Sequence, residues 1–141
     1  MDSTRPYSQV LATLRRAGLR PTRQRLALGR LLFENGHRHV TAEHLHAEAQ
    51  AAGIHVSLAT VYNTLHQFTT AGLLRQILVD AERSYFDTNT HEHHHFFIET
   101  TSELRDIPAD RIVVADLPAP PRGTAIKRVD VIVRLDGVDS N

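Results

Sequence analysis

Val56-Ser57-Leu58-Ala59-Thr60-Val61-Tyr62-Asn63-Thr64-Leu65-His66-Gln67-Phe68 is the stretch on which the fold turns. Val61, Leu65 and Phe68 recur at the three- and four-residue spacing that lines one side of a helix, and Ser57 stands where an N-cap belongs. The other side is Ser57, Thr60, Asn63, Thr64 and Gln67, all short or flexible polar groups. Side chains of that kind bring donors and acceptors within reach of base edges. Tyr62 can meet a thymine methyl and a phosphate, and Asn63 can pair bidentately with adenine.

Upstream, Val10, Leu11 and Leu14 mark a first helix that Gly18 stops. Pro21-Thr22 opens a second, with Leu26, Leu28, Leu31, Leu32 and Phe33 as its apolar side and Asn35-Gly36 closing it. Thr41 caps a third, in which Leu45, Ala49 and Ala52 face inward before Gly53. Downstream, Ala71-Gly72 ends the fourth helix. Two β-prone runs follow, Leu73 to Val79 and Ser84 to Phe86, around a turn at Asp80-Ala81-Glu82-Arg83. Four helices and a hairpin is the order of a winged helix-turn-helix with its wing at 80–83. The same order would also serve a small α+β core with no DNA role.

The second half reads as strands: His93 to Glu99, Glu103 to Ile107, and a long third from Ala125 to Leu135 carrying Ile126, Val129, Val131 and Val133. Ile112-Val113-Val114 is ambiguous. Pro118, Pro120, Pro121 and Gly123 make a stiff loop, and the tail after Leu135 is polar. The expected fold class is α+β: a winged domain in residues 1–87, then a small α/β dimerisation domain in 88–141. A sheet this small leaves apolar surface that a second copy would bury, so a homodimer is expected.

Composition bounds the chemistry. The 141 residues include no cysteine, which excludes disulfides, thiol catalysis and thiolate metal sites. Ten histidines leave imidazole, carboxylate and water as metal ligands. The net charge of zero hides a polarity: residues 1–86 hold ten arginines against six acids, and the remainder is acidic. A basic half fits a nucleic-acid face, with Arg5, Arg15, Arg16 and Arg23 as phosphate contacts. No apolar run approaches a membrane span and the N-terminus has no apolar signal core, so a cytoplasmic protein with no membrane partner is expected.

Strand alternation sorts the histidine cluster. His93 and His95 share one face, while Glu92 and His94 point the other way. Two imidazoles at i and i+2 can chelate an ion but need further ligands. A histidine run can equally face solvent or bind adventitious metal.

Five segments in register resemble the ferric uptake regulator family over roughly residues 8–135: Gly18–Arg25, His39–Leu45, Val56–Leu65, Tyr85-Phe86-Asp87 and His93-His94-His95. The resemblance implies a dimeric DNA-binding transcriptional regulator with an A·T-rich palindromic operator. It gives Arg20 the role of entering the minor groove, where negative potential is strongest. It also implies a regulatory metal site on His39, Asp87, His93, His95 and Asp106, a set suited to iron, manganese or zinc. A second family site falls on Glu92, His94, Val129 and the Arg111-Ile112 region, and reads as lost. The His-His-His-Phe-Phe run and the proline loop resemble the iron response regulator branch, which implies regulation of iron and haem metabolism and makes His93, His94 and His95 candidate haem ligands. The alternatives are a manganese- or zinc-responsive repressor of the same family, a metal or haem carrier, and a metalloenzyme using Glu92 or Glu99 as base.

Overall fold

Hydroxyl side chains cap three of the four α-helices among the described residues, and they set the N-terminal half of the chain. The computed structural model describes residues 7–137, so Arg5 and the last part of the polar tail lie outside the described residues. Thr22 accepts from the Arg25 N–H to start α2 (Arg23–Phe33), Thr41 from His44 to start α3 (Ala42–Ala51), and Ser57 from Thr60 to start α4 (Leu58–Thr70). Helix α1 (Ser8–Arg16) precedes them without a side-chain cap. Gly72 takes a φ of +84° after α4, and the Leu73 N–H closes back on the Phe68 carbonyl, turning the chain toward the sheet.

The chain divides after Thr90 into two units. In the first, Val10, Leu14, Leu28, Leu32, Val40, Leu45, Val61, Leu65, Phe68 and Phe86 form one buried core. Burying side chains of this size contributes about 1.5–3 kcal/mol each. A three-stranded antiparallel sheet in the order β1-β3-β2 completes this unit: β1 is His39–Val40, β2 Arg75–Leu78 and β3 Ser84–Asp87. Asp80 closes the wing turn by accepting from the Glu82 and Arg83 N–H groups. The Arg83 guanidinium, ahead of those backbone bonds, holds its carboxyl down to about 2.

The second unit is a sheet in the order β5-β4-β6, with β4 at His93–Ile98, β5 at Glu103–Pro108 and β6 at Ile132–Leu135. β4 and β5 form an antiparallel hairpin, whereas β6 runs parallel to β4. The described residues between β5 and β6 hold a single 3-10 turn at Ala109–Arg111 and otherwise irregular chain. Val113, Leu117 and Ile126 stand exposed there. No helix among the described residues is long and apolar enough to cross a membrane.

Several expectations need correction. The long strand over Ala125–Leu135 shrinks to its last four residues. The register sets His95 opposite Ile132, and β4 begins only at His93, so residues before about 130 have no strand to pair with. The run Leu73–Val79 trims to Arg75–Leu78. Ala52, expected inward, is the exposed C-cap of α3. Thr64, expected on the exposed side of α4, is buried and donates its hydroxyl to the Thr60 carbonyl. The strand β1 was not foreseen, because two residues carry no period.

Candidate functional site

The exposed side of α4 is built on its cap. Ser57 Oγ accepts from the Thr60 N–H at 3.1 Å and donates to Thr60 Oγ1 at 2.9 Å, so the two hydroxyls are fixed together at the helix start. Asn63 is exposed two turns on from Ser57 and makes no side-chain hydrogen bond among the described residues, which leaves both amide groups open. Tyr62 is half-buried. Its hydroxyl donates to Glu43 Oε1 of α3 at 2.7 Å, and that bond, ahead of burial, pushes the phenol's ionisation up. Arg20 is exposed before α2 with its guanidinium unpartnered among the described residues, and Arg15, Arg16 and Arg23 are exposed cations. Glu43 escaped the sequence reading, since only packing of α3 on α4 brings it to Tyr62.

The metal-ligating candidates fall into one group in each unit. In the first unit, β1 and β3 pair so that His39 lies directly opposite Asp87. His39 Nε2 stands 3.1 Å from Asp87 Oδ2, while Asp87 Oδ1 accepts from the Asn89 N–H at 2.9 Å. One carboxylate oxygen is thus held by backbone and the other faces the histidine. Asp87 is fully buried, and burying a carboxylate without a cation or donors is costly.

In the second unit the same device recurs. The β4–β5 register sets His95 opposite Asp106, and His93 shares the His95 face two residues earlier. Asp106 Oδ1 is 3.4 Å from Nε2 of both His93 and His95, whose rings lie 4.5 Å apart. His93 Nδ1 hydrogen-bonds the His91 carbonyl. A carbonyl only accepts, so Nδ1 carries a proton and Nε2 is the ring nitrogen turned toward Asp106. Histidine ligands are oriented and made more basic by such a bond. Both imidazoles are buried, and the donors are nitrogen and carboxylate oxygen without sulfur, a set that fits a divalent first-row ion.

His94 has a different occupation. It lies on the opposite face of β4 and its Nδ1 accepts from the Val131 N–H at 3.1 Å, beside the start of β6. A backbone N–H only donates, so the ring proton sits on Nε2. His94 therefore offers no free lone pair unless it gives up Val131. Glu92 is exposed, and no carboxylate among the described residues joins His94.

A sequence model of the Ferric uptake regulator family matches residues 16–133, which takes in α2 to α4, β1 to β5, the start of β6 and every residue of the two ligand groups. The chain belongs to the Ferric uptake regulator family. A curated relative, the peroxide-responsive repressor PerR of Staphylococcus epidermidis, is 35% identical over 98 residues, 70% of this chain. That stretch spans 65% of the relative's own length, just under two thirds. Among solved structures, the ferric uptake regulator of Pseudomonas aeruginosa with manganese aligns at a TM-score of 0.69 and 25% identity, over 92% of this chain and 98% of its own. The Vibrio cholerae ferric uptake regulator aligns at 0.69 and 22% identity, over 89% and 98%, and shares the fold. The α+β class, with a winged helix followed by a family dimerisation domain, is the Ferric uptake regulator fold.

Proposed function

We propose that the chain is a dimeric transcriptional regulator, not an enzyme, whose affinity for double-stranded DNA is set by a divalent metal ion. Residues 1–87 read the DNA and residues 88–141 dimerise and sense. The observation that carries the reading is the pair of histidine–carboxylate registers, His39 opposite Asp87 and His95 opposite Asp106, in a member of this family. His39 and Asp87 of the first unit and His93, His95 and Asp106 of the second are the residues that would serve as the ion's ligands. A bound ion would supply a positive centre suited to imidazole nitrogen and carboxylate oxygen.

Ser57, Thr60, Tyr62 and Asn63 enter the major groove and Arg20 the adjacent minor groove of an A·T-rich palindrome. A dimer reads it when its two α4 helices stand about 34–36 Å apart. The exposed Val113, Leu117 and Ile126 supply apolar surface for the second copy. The ion is iron, manganese or zinc, and the controlled genes serve iron and haem metabolism. Haem captured by the His93–His95 run would take His93 and His95 from the metal set and His94 from Val131, and so would release DNA. A 99:1 population is reversed by about 5.5 kcal/mol of differential binding, within a metal site's range.

The name of the Staphylococcus relative favours a second reading, in which the same set makes the chain peroxide-responsive. Ferrous iron is readily oxidised by peroxide and manganous ion is not, so peroxide should then abolish DNA binding of the iron form alone.

Fluorescence anisotropy with A·T-rich palindromic duplexes tests the proposal, run on chelated protein and on protein given manganese, ferrous iron, zinc or haem. Metal-dependent tightening is expected. Equal, weak binding of palindromic and scrambled duplexes under every condition would overturn it.

A further inference from the structure

Arg25 is the third residue of α2, and its surroundings are unlike those of the other arginines in this region. Its Nη1 donates to the Arg20 carbonyl at 2.8 Å, and its Nε and Nη2 both donate to Gln67 Oε1, at 3.2 and 3.0 Å. Three of its five N–H donors are thereby spent on two neutral oxygens, one in the loop before α2 and one on the exposed side of α4. No carboxylate among the described residues pairs with it. A cation in the first turn of a helix opposes the helix dipole by about 0.3–1 kcal/mol, so helix stability does not account for arginine at this position. The residue is nevertheless held firmly: its own N–H donates to the capping Thr22 hydroxyl at 3.2 Å.

We infer that Arg25 is a positioning residue that fixes the Arg20 loop to the exposed side of α4, so that the free Arg20 guanidinium and the polar face carrying Asn63 engage DNA as one rigid surface. The planar fork of a guanidinium holds both oxygens in one fixed geometry, which an ammonium on a flexible stem does not impose. Leu19, beside Arg20, lines one groove with Asn63 and Gln67, and Arg25 lines the next with Thr60 and Asn63. The same bonds orient Gln67. With Oε1 turned to Arg25, its amide presents only N–H donors outward. Gln67 then serves phosphate oxygens or base acceptors, and not the bidentate donor–acceptor pairing with adenine.

The inference rests on the DNA-binding reading above, and its test separates the two. A duplex is first selected from a randomised pool with the metal-loaded wild-type chain, and then remade with A·T pairs replaced by G·C or by I·C. An I·C pair keeps the minor-groove face of A·T while changing the major-groove face, so it isolates minor-groove reading. Arg25→Lys keeps the charge and loses the fork. It should weaken binding about tenfold and erase the preference for A·T and I·C over G·C at the minor-groove positions, with the salt dependence unchanged. Gln67→Ala, which cuts only the α4 arm and leaves α2 intact, should move the preference the same way by a smaller factor. Circular dichroism checks that both variants are folded.

If Arg25→Lys binds like wild type with its groove preference intact, or if Arg25→Gln only lowers the salt slope by about one, Arg25 is a phosphate contact and the inference fails. If no duplex is selected by the wild-type chain, it is the DNA-binding reading that fails.

Discussion

Gly29→Ala in α2 is a substitution whose cost the structure sizes closely. A Cβ at this position would sit 2.7 Å from Val10 Cγ1, well inside the roughly 3.5–4.0 Å at which two carbons attract. Val10 is 1% exposed and lies in α1, where a β-branched side chain has one strongly preferred rotamer. The methyl cannot swing away, so α1 must shift from α2. Overpacking of this kind costs about 1–3 kcal/mol, and alanine returns about 0.8–1.0 kcal/mol of helix propensity. The net loss is about 0–2 kcal/mol, which a single variant measures poorly and a double-mutant cycle measures well.

Val10→Ala removes the clashing methyl. In that background Gly29→Ala should become stabilising by about 1 kcal/mol, which gives a coupling of about 1–3 kcal/mol between the two positions. Urea unfolding of the four proteins, followed by far-ultraviolet circular dichroism, reads it directly. Equal effects of Gly29→Ala in both backgrounds would refute the close α1–α2 approach, and so would a stabilisation of about 1 kcal/mol in the wild-type background.

Ser57→Ala should lower stability by about 1 kcal/mol in the same assay, since it strips the cap of α4 and frees Thr60. The fork of Arg38 on Glu48 holds that carboxyl below its ordinary value of 4.5, chiefly through their hydrogen bond. The folded pKa is the lower one, so the pair stabilises fully above 4.5 and its contribution is lost as pH falls through the folded value. Glu48→Gln should therefore be less stable than wild type at neutral pH, with the gap narrowing in acid thermal melts. His94→Ala should speed hydrogen exchange at the Val131 amide while leaving Asp106 and the two histidines beside it in register, as an amide-exchange map would show.

Helices were legible because each carries its own punctuation. Thr22, Thr41 and Ser57 cap, and the 3.6-residue period of Val61, Leu65 and Phe68 names the buried face without help from the rest of the chain. Strands were legible only where a partner happened to be present. Val129 and Val131 have the same β-branched character as Val133, yet only Val133 lies in β6: Val129 falls, in register, before the start of β4, and the Val131 N–H goes to the His94 ring. Alternation correctly separated His93 and His95 from His94. What the sequence could not show is register, which sets Asp87 opposite His39 and Asp106 opposite His95. Side-chain bonds between helices, such as Tyr62 to Glu43 and Arg25 to Gln67, span 19 and 42 residues and left no trace in any local pattern.

Linkage gives the most direct test of metal-controlled DNA binding. The affinity of the chain for manganese should be measured by calorimetry with and without saturating operator duplex. If the ion favours the DNA-competent form, the duplex must tighten manganese binding by the same factor by which manganese tightens DNA binding, typically 5- to 150-fold. His93→Ala and Asp106→Asn should each abolish that coupling in a folded protein. A manganese affinity that is the same with and without duplex, while the duplex itself binds tightly, would contradict the account.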